Sequence, residues 1–467
     1  MPLFVGQSVP LVAFLDLSLL TGLSIVGFIL ISLARTRDPL APAVIFGAML
    51  LFQYVFYPIR FELTVPIALR GMLDDEQLVF AQSLFLGGVI CLLSGLVIGS
   101  GVRRRGAPLF GGPALTTGQR LAARKTMRVL AAIALGSALY ASITAGRLAG
   151  NVASEFGYVN EAYHFSVPAT AMYLLSVSHR RLTRKDLFVC VVLMSPLLIR
   201  GLFVAKRGPT LIFILGLSMA WFLAARRRPS LPALAAGGAA AFFLVALLFF
   251  NREAIWRGQE IDTDIDPLGF ASINPGNDYI YGAAMANVAL ERNDHDYGGR
   301  FLITFLVRPV PSQIWPTKYS DASNFLNVGF YSSIGKYINE SYLYFVSYPI
   351  LGWQIAPGAY WGIVTDMFWE FRYFGFIALY AGGFVIGSLY RRSSQGVLAF
   401  LIYVVTMSVT PYIVAQDLGE SGFRILFMTV PGILLFKFFG GQRTARTSSV
   451  GFPAGRARSG PAGVRGV

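Results

Sequence analysis

Long apolar runs separated by short basic clusters are the feature that most constrains how this 467-residue chain can fold. A helix needs about 20 mostly apolar residues to cross a bilayer. We identify about eleven such runs, with ten to twelve as the range because the fifth and the seventh are short. They lie at 11–33, 40–60, 78–100, 127–147, 163–179, 186–205, 209–225, 232–250, 372–390, 396–415 and 423–440. The pattern predicts an all-α, polytopic membrane protein.

The composition agrees with this prediction and excludes other classes. Hydrophobic residues make up 55% of the chain and charged residues only 13%, whereas a soluble domain carries about a quarter charged residues. The net charge of +15 comes from clusters between apolar runs, without a basic face rich in aromatic residues, so we do not expect a nucleic-acid partner. No nucleotide-binding motif is present, which argues against ATP-driven transport by this chain alone.

The positions of the 39 lysine and arginine residues predict how the runs are oriented. Cytoplasmic loops of membrane proteins carry an excess of these residues. If the turn Arg35–Arg37 is cytoplasmic and the runs alternate, the basic connections 103–128, 180–185, 226–228 and 391–392 all fall on the same side. The N-terminus is then external and the C-terminus cytoplasmic. We expect residues 1–440 to form a single transmembrane domain and residues 441–467 a disordered basic cytoplasmic tail.

One long connection, 251–370, lies on the external side in this arrangement. Structureless loops of such length are uncommon unless they are functional. Within it, 343–363 is apolar, but a full span there would place the Arg391–Arg392 pair outside. Pro349 and Pro357 fit a re-entrant or interfacial segment better. We therefore expect a large external loop of interfacial and re-entrant helices.

Basic residues on the external side are the first candidates for a binding site, because external loops are normally poor in them. The turn Lys206-Arg207-Gly208-Pro209 carries two cations with no acidic residue nearby, which suits a phosphate or pyrophosphate group. Arg372 and Arg424 each lie where a span begins on this side. The alternative for each of these residues is a surface ion pair of little consequence.

Two further groups lie in or beside the external loop. The apolar piece 301–307 is flanked by Arg300, Arg308 and Lys318, and it is expected to be a short helix at the membrane surface. His295 precedes it, and either it is a proton acceptor or it is an ordinary surface histidine.

The second group is a pair of carboxylates. Asp366 and Glu370 are four residues apart, so in a helix they share a face. Either they supply a general base or they pair with Arg372.

These features, in this order, resemble the O-antigen polymerases, the Wzy-type oligosaccharide repeat-unit polymerases. The resemblance covers roughly 200–392. It rests on the 206–209 turn that opens a span, the long late loop, and two short motifs: Pro311-x-x-x-Trp315-Pro316-x-Lys318 and Pro357-Gly358 leading to Phe374-Gly375. Ser312 stands where the family's Pro-Arg pair would have arginine, and Arg308 is the candidate to replace that charge.

The resemblance implies a membrane glycosyltransferase of the GT-C kind that joins polyprenyl-pyrophosphate-linked oligosaccharides on the external face of the bacterial cytoplasmic membrane. It implies no cofactor, and as partners the lipid-linked oligosaccharide, membrane lipid, a chain-length regulator and a flippase. For this chain the expected base is Glu370, Asp366 or His295, and no spacing supports a metal site. The expected pyrophosphate contacts are Lys206, Arg207, Arg300, Arg308, Lys318, Arg372 and Arg424.

Two other functions remain open from the sequence. An O-antigen ligase-like enzyme would move a finished glycan onto another acceptor with similar electrostatics. A flippase or transporter for the lipid-linked sugar needs polar groups along the membrane interior. The runs here are nearly free of charge, with Asp16 and Arg200 as the main exceptions, which favours chemistry on one face.

Overall fold

A computed structural model describes residues 9–64, 71–102, 113–145, 159, 161–203, 207–225, 228–251, 254–255, 258–263, 278–293, 295–328, 347–353 and 361–447. Every regular element in these ranges is a helix, which confirms the predicted all-α class. The helices of the first half are α1 Val9–Thr36, α2 Pro42–Leu51, α3 Tyr57–Thr64, α4 Asp75–Ser100, α5 Thr117–Ala145, α6 Ser166–Val177, α7 Arg184–Leu193, α8 Ser195–Phe203, α9 Arg207–Ala224 and α10 Leu231–Phe250.

The second half contains the long connection and the last spans. Its helices are α11 Asp278–Arg292, α12 Gly299–Leu302, α13 Lys318–Leu326, α14 Gly362–Phe371, α15 Gly375–Arg392, α16 Val397–Ser408, α17 Thr410–Ala415 and α18 Leu418–Thr447. Single wider turns of π-helix continue α2 over Phe52–Phe56 and α12 over Ile303–Val307. Short 3-10 turns at Ala162–Phe165 and Arg372–Phe374 lead into α6 and α15.

Six helical stretches within the described ranges are long and apolar enough to cross a membrane. They are Val12–Thr36, Pro42–Arg60, Asp75–Ser100, Leu231–Leu248, Gly362–Arg392 and Leu418–Gly440. Gly208–Ala224 and Val397–Ser408 are apolar but shorter. The predicted run at 186–205 is broken between α7 and α8 at Met194. These stretches fit a multi-pass membrane protein, while the count of about eleven spans stays a prediction.

The two closely packed helices α4 and α15 run in the same direction. A Cβ atom on Gly95 would overlap the backbone of α15, so this glycine allows the two helices to approach closely. Gly87, in the first half of α4, faces Phe376 at the start of α15. Gly101, just after α4, faces Arg391 near the end of α15. The alternation derived from the basic loops requires this parallel arrangement of the third and ninth runs.

The helix ends that carry the predicted cytoplasmic loops meet one another. The buried carboxylate of Asp38, which follows α1, pairs with Arg228 at 2.9 Å. It also accepts a hydrogen bond from the hydroxyl of Tyr390 at 2.6 Å. Arg228 precedes α10 and Tyr390 lies in the last turn of α15, so three separate connections meet at one end of the bundle. We call this the basic end, and the opposite end, which carries the long connection, the loop end.

Part of the long connection is built into the bundle, contrary to the expectation of interfacial helices alone. Helix α11 packs against α4 and α14, and the hydroxyl of Tyr279 donates to Gln82 Oε1 at 2.9 Å. Gln82 in turn donates to Thr21 and to the carbonyl of Tyr54. The run of small residues in α11 permits this close packing. Helix α11 is not apolar enough to be identified as a membrane span from the sequence.

The expected re-entrant segment, 343–363, lies partly outside the described residues. Within it, 347–351 is helical, and the indole of Trp353 donates to the carbonyl of Met72 at 2.8 Å. The last helix, α18, continues to Thr447, and the predicted tail beyond that point lies outside the described residues.

Candidate active site at the loop end

A buried ion triad formed by Arg300, Asp366 and Glu370 lies at the loop end. The two carboxylates share one face of α14, as their spacing predicts, and both are fully buried. Arg300, at the start of α12, donates from Nε to Glu370 Oε1 at 2.6 Å and from Nη2 to Asp366 Oδ1. The three residues are called the Arg300 triad below.

The triad gives the two carboxylates a partner other than the one expected. They pair with Arg300 and not with Arg372, which is exposed and lies over the ring of Tyr373 at 5.9 Å. Burial opposes the charge on Arg300, but the neighbouring carboxylates outweigh it and hold the pKa of this guanidinium well above its usual range. The charge of Arg300 is thus largely committed to Asp366 and Glu370.

The chain before Arg300 wraps around the end of α14. Gly298, in the left-handed region at φ 85°, donates its backbone N–H to Glu370 Oε2 at 2.9 Å. The indole of Trp369 donates to Asp296 at 2.9 Å. His295 is buried, and its Nδ1 lies 3.1 Å from the carbonyl oxygen of Trp369. His295 is therefore a packed interior residue and not the surface histidine of the alternative interpretation.

The triad also caps helix α18. The second carboxylate oxygen of Asp366 accepts the backbone N–H of Leu418 at 2.9 Å. Asp417 accepts the N–H of Glu420 at 2.5 Å. Side-chain oxygens in these positions satisfy N–H groups that the first turn of a helix leaves free. The start of α18, which carries Glu420 and Arg424, is consequently fixed relative to α14.

A second charged group lies beside the first turns of α18. Glu420 Oε1 is 3.1 Å from Nη2 of Arg424 and 3.8 Å from Nη2 of Arg308. The guanidinium of Arg424 lies over the ring of Tyr412 at 4.2 Å, and that of Arg308 over Phe423 at 4.6 Å. Two predicted pyrophosphate contacts, far apart in sequence, are thereby brought together.

Arg200, at the end of α8, joins the same group. Its guanidinium lies over the ring of Tyr163 at 5.2 Å. Tyr163 also lies within electrostatic range of Arg424 and Glu161. Arg200, Arg308 and Arg424, from three different parts of the chain, are called the cation cluster below.

The 206–209 turn borders the cation cluster. A Cβ atom on Gly208 would overlap the hydroxyl of Tyr412, the ring on which Arg424 lies, so glycine is required for this approach. Lys206 lies outside the described residues, and of Arg207 only the backbone, at the start of α9, is described. The predicted role of these two cations stays a prediction.

Several buried polar atoms around the cation cluster lack a hydrogen-bond partner among the described residues. Buried polar atoms in native proteins are nearly always hydrogen bonded to protein or water. Here the unpaired atoms provide donors and acceptors for a bound polar group. They are Arg200 Nε, Arg424 Nη1, His164 Nε2, Glu420 Oε2 and Ser421 Oγ.

The predicted contact Lys318 has a different environment. Its side chain is buried, and Nζ donates to the carbonyl of Arg308 at 3.0 Å and to that of Val310. Burial, together with the charge of Arg308, lowers the pKa of this amine. Lys318 thus stabilises the backbone of the loop at 308–317, which carries Arg308. The 311–318 motif has a structural role here.

Replacing Lys318 with methionine is expected to loosen this loop by about 1–3 kcal/mol, because two partly buried carbonyl groups lose their donor. Hydrogen exchange of the backbone amides of Arg308, Val310 and Ile314, which are hydrogen bonded within this loop, should accelerate about fivefold or more. The exposed Lys185→Met is the matched control and should leave those amides unchanged. Equal exchange in Lys318→Met and wild type would contradict the structural role of Lys318.

Sequence reasoning missed several members of the site. Arg200 was recognised only as a charge within an apolar run, which is itself a signal of function. The pair Glu420 and Arg424 has the i,i+4 spacing of a helical ion pair, so it was accessible from sequence. Glu161, His164 and Tyr412 carry no local signal, because only the tertiary fold brings them to the arginines.

No group of three or more His, Cys, Asp or Glu side chains suited to a metal ion occurs in the described part of the chain.

Comparisons with protein-family models, with curated proteins and with solved structures find no match to this chain.

Proposed function

We propose that this chain is a membrane glycosyltransferase that polymerises polyprenyl-pyrophosphate-linked oligosaccharide repeat units. The observation that carries the proposal is the cation cluster, in which Arg200, Arg308 and Arg424 converge at the loop end beside buried polar atoms that have no hydrogen-bond partner in the described part of the chain. Glu161 and Glu420 lie near these arginines and Asp417 lies near Glu420. Even so, Arg200 Nε and Arg424 Nη1 have no hydrogen-bond partner among the described residues. Partly buried guanidinium donors of this kind suit a dianionic phosphate.

The proposed reaction develops negative charge on the leaving pyrophosphate, which the arginines of the cation cluster would stabilise. As the hydroxyl of the acceptor sugar attacks the anomeric carbon of the donor, polyprenyl pyrophosphate leaves and gains negative charge. Fixed guanidinium groups stabilise such a leaving group, and burial strengthens the effect because the local dielectric constant is low. Arg424 is held by Glu420 and Tyr412, so little reorganisation accompanies the reaction.

The sidedness of the proposal rests on the basic loops. The excess of lysine and arginine in cytoplasmic loops of membrane proteins supports a cytoplasmic location for the basic end, with the loop end and the cation cluster on the external face. The protein would then lie in the bacterial cytoplasmic membrane with about eleven spans, a GT-C-like fold and a cytoplasmic C-terminus. A flippase would deliver the lipid-linked repeat unit to this face, and a chain-length regulator would act on the product.

Membrane lipid also has a surface to contact at this end. Leu306 and Phe374 are 67% and 74% exposed, next to the segments that carry Arg308 and Arg372. Such side chains in the outer leaflet would keep the prenyl chain in lipid while the pyrophosphate reaches the arginines.

Deletion of the gene tests the proposed function. The surface polysaccharide of the deletion strain, separated by length, should collapse from a ladder to single repeat units. Return of the wild-type gene should restore the ladder. An unchanged ladder in the deletion strain would contradict the proposal, and accumulation of long lipid-linked chains would support the ligase-like alternative instead.

A further inference from the structure

A carboxylate and a histidine are paired beside the cation cluster. Glu161 precedes the 3-10 turn Ala162–Phe165 that leads into α6, and His164 lies within this turn. Nδ1 of His164 lies 2.9 Å from the carbonyl oxygen of Glu161 and 3.1 Å from its Oε2. The imidazole is almost completely buried and packs against the ring of Tyr163, with centroids 4.1 Å apart.

These contacts show which ring nitrogen of His164 carries the proton. A carbonyl oxygen can only accept a hydrogen bond, so Nδ1 must carry the proton. In the neutral imidazole the lone pair is then on Nε2, the form that accepts a proton. Nε2 is buried and has no hydrogen-bond partner among the residues that the structure describes.

The surroundings support a positive charge on this ring after it accepts a proton. Burial opposes ionisation of Glu161, but the hydrogen bond from His164, the charge of the protonated His164 ring and the charges of Arg424 and Arg308 outweigh burial and lower the pKa of this carboxyl to about 2. Glu161 is therefore a carboxylate at neutral pH. A carboxylate on Nδ1 orients an imidazole and stabilises the imidazolium that forms during general-base catalysis.

The position of the pair links it to the leaving group. Glu161 lies within electrostatic range of Arg308 and Arg424, and the neighbouring ring of Tyr163 lies under Arg200. In a direct displacement, the general base and the groups that bind the leaving pyrophosphate lie on either side of the reacting carbon, within the same site.

We propose that His164 is the general base that activates the acceptor sugar hydroxyl, with Glu161 as its positioning residue. This inference rests on the proposed function. In the step, Nε2 takes the hydroxyl proton, the hydroxyl oxygen forms a bond to the anomeric carbon, and the bond from that carbon to the pyrophosphate oxygen breaks. The bonding pair leaves with polyprenyl pyrophosphate, and the imidazolium then releases its proton to water.

His295 is the competing histidine. Its Nδ1 also faces a carbonyl oxygen, that of Trp369, so its Nε2 is likewise a potential acceptor. However, His295 packs against Phe368 beside the Arg300 triad, in which the guanidinium already pairs with two carboxylates. His164 has the carboxylate partner and the neighbouring arginines that the reaction needs.

The test uses membranes from the deletion strain that carry wild-type or variant protein, supplied with the lipid-linked repeat unit extracted from that strain. His164→Gln should lower kcat by about 100-fold or more with little change in KM, because general-base catalysis contributes roughly 10²–10⁴ in rate. His164→Ala should behave similarly and recover part of its activity in added imidazole. Glu161→Gln should lower kcat by a smaller factor.

The controls separate the inference from the proposed function. His179→Ala removes an exposed histidine at the opposite end of α6 and should retain the wild-type rate. If wild-type membranes do not polymerise the repeat unit, the proposed function fails. If wild type polymerises but His164→Gln keeps its kcat, or only His295→Asn loses kcat, the inference about His164 is overturned.

Discussion

Replacement of Arg300 by alanine is expected to lower the free energy of unfolding by about 3–5 kcal/mol. The change leaves Asp366 and Glu370 buried side by side, without the guanidinium that contacts both of them. Removing one partner of a buried ion pair is costly because the remaining charge cannot be solvated. The amount of Arg300→Ala in the membrane and its midpoint of thermal unfolding in detergent should both fall clearly below those of the wild type.

Two further variants test the cause of this loss. The triple variant Arg300→Met, Asp366→Asn, Glu370→Gln removes all three charges together and should recover much of the lost stability. Arg292→Ala, at an exposed position on the same side of the molecule, is the single-arginine control and should change stability by no more than about 0.5 kcal/mol. If Arg300→Ala is as stable as this control but forms no polymer, Arg300 acts on the substrate, as the sequence predicted.

Relations between residues that are close in the sequence were predicted correctly. The common face of Asp366 and Glu370 follows from helical periodicity alone, and α14 has this geometry. The partner of these carboxylates did not follow, because Arg300 is 66 residues before Asp366 and 70 before Glu370. Arg372 was chosen as the partner because it is close in sequence, but its own backbone, at φ 52°, ends the helix and leaves the side chain exposed.

The candidate site was predicted in part for the same reason. Arg308 and Arg424 were recognised by their charge on a side where cations are uncommon, which is a property of single loops. Their common contact with Glu420 depends on the packing of α18 against the loop, which sequence alone does not define. His164 was missed because a histidine at the start of an apolar run resembles any buried histidine until its neighbours are known.

The Arg300 triad and the cation cluster are connected through the backbone segments that carry them. Arg300 anchors the start of the segment that ends in Arg308, while Asp366 caps the helix that carries Arg424. Lys318 holds the carbonyl of Arg308 from the other side. The buried triad and Lys318 thus fix the positions of Arg308 and Arg424, which is the arrangement expected when binding groups must be held rigidly before the substrate arrives.

Replacement of Arg424 by alanine is expected to reduce the rate of polymerisation by about 10²–10³ while the protein stays in the membrane. Arg424 lies over Tyr412, and its Nη1 has no partner within the described ranges, so this guanidinium is the member of the cation cluster best placed to donate to a phosphate oxygen. The rate is measured in membranes of the deletion strain with the extracted lipid-linked repeat unit, and the chain lengths are measured on whole cells.

The lysine variant separates charge from shape at this position. Arg424→Lys keeps the positive charge but loses the planar pair of donors, so it should recover only part of the rate. Glu420→Gln keeps Arg424 and removes a competing carboxylate, so a rate near or above wild type is expected if Glu420 only holds the arginine. Arg292→Ala should polymerise normally. A wild-type rate for Arg424→Ala at wild-type protein level would exclude the cation cluster as the pyrophosphate site, because the loss of its central guanidinium would then have no effect on the leaving group.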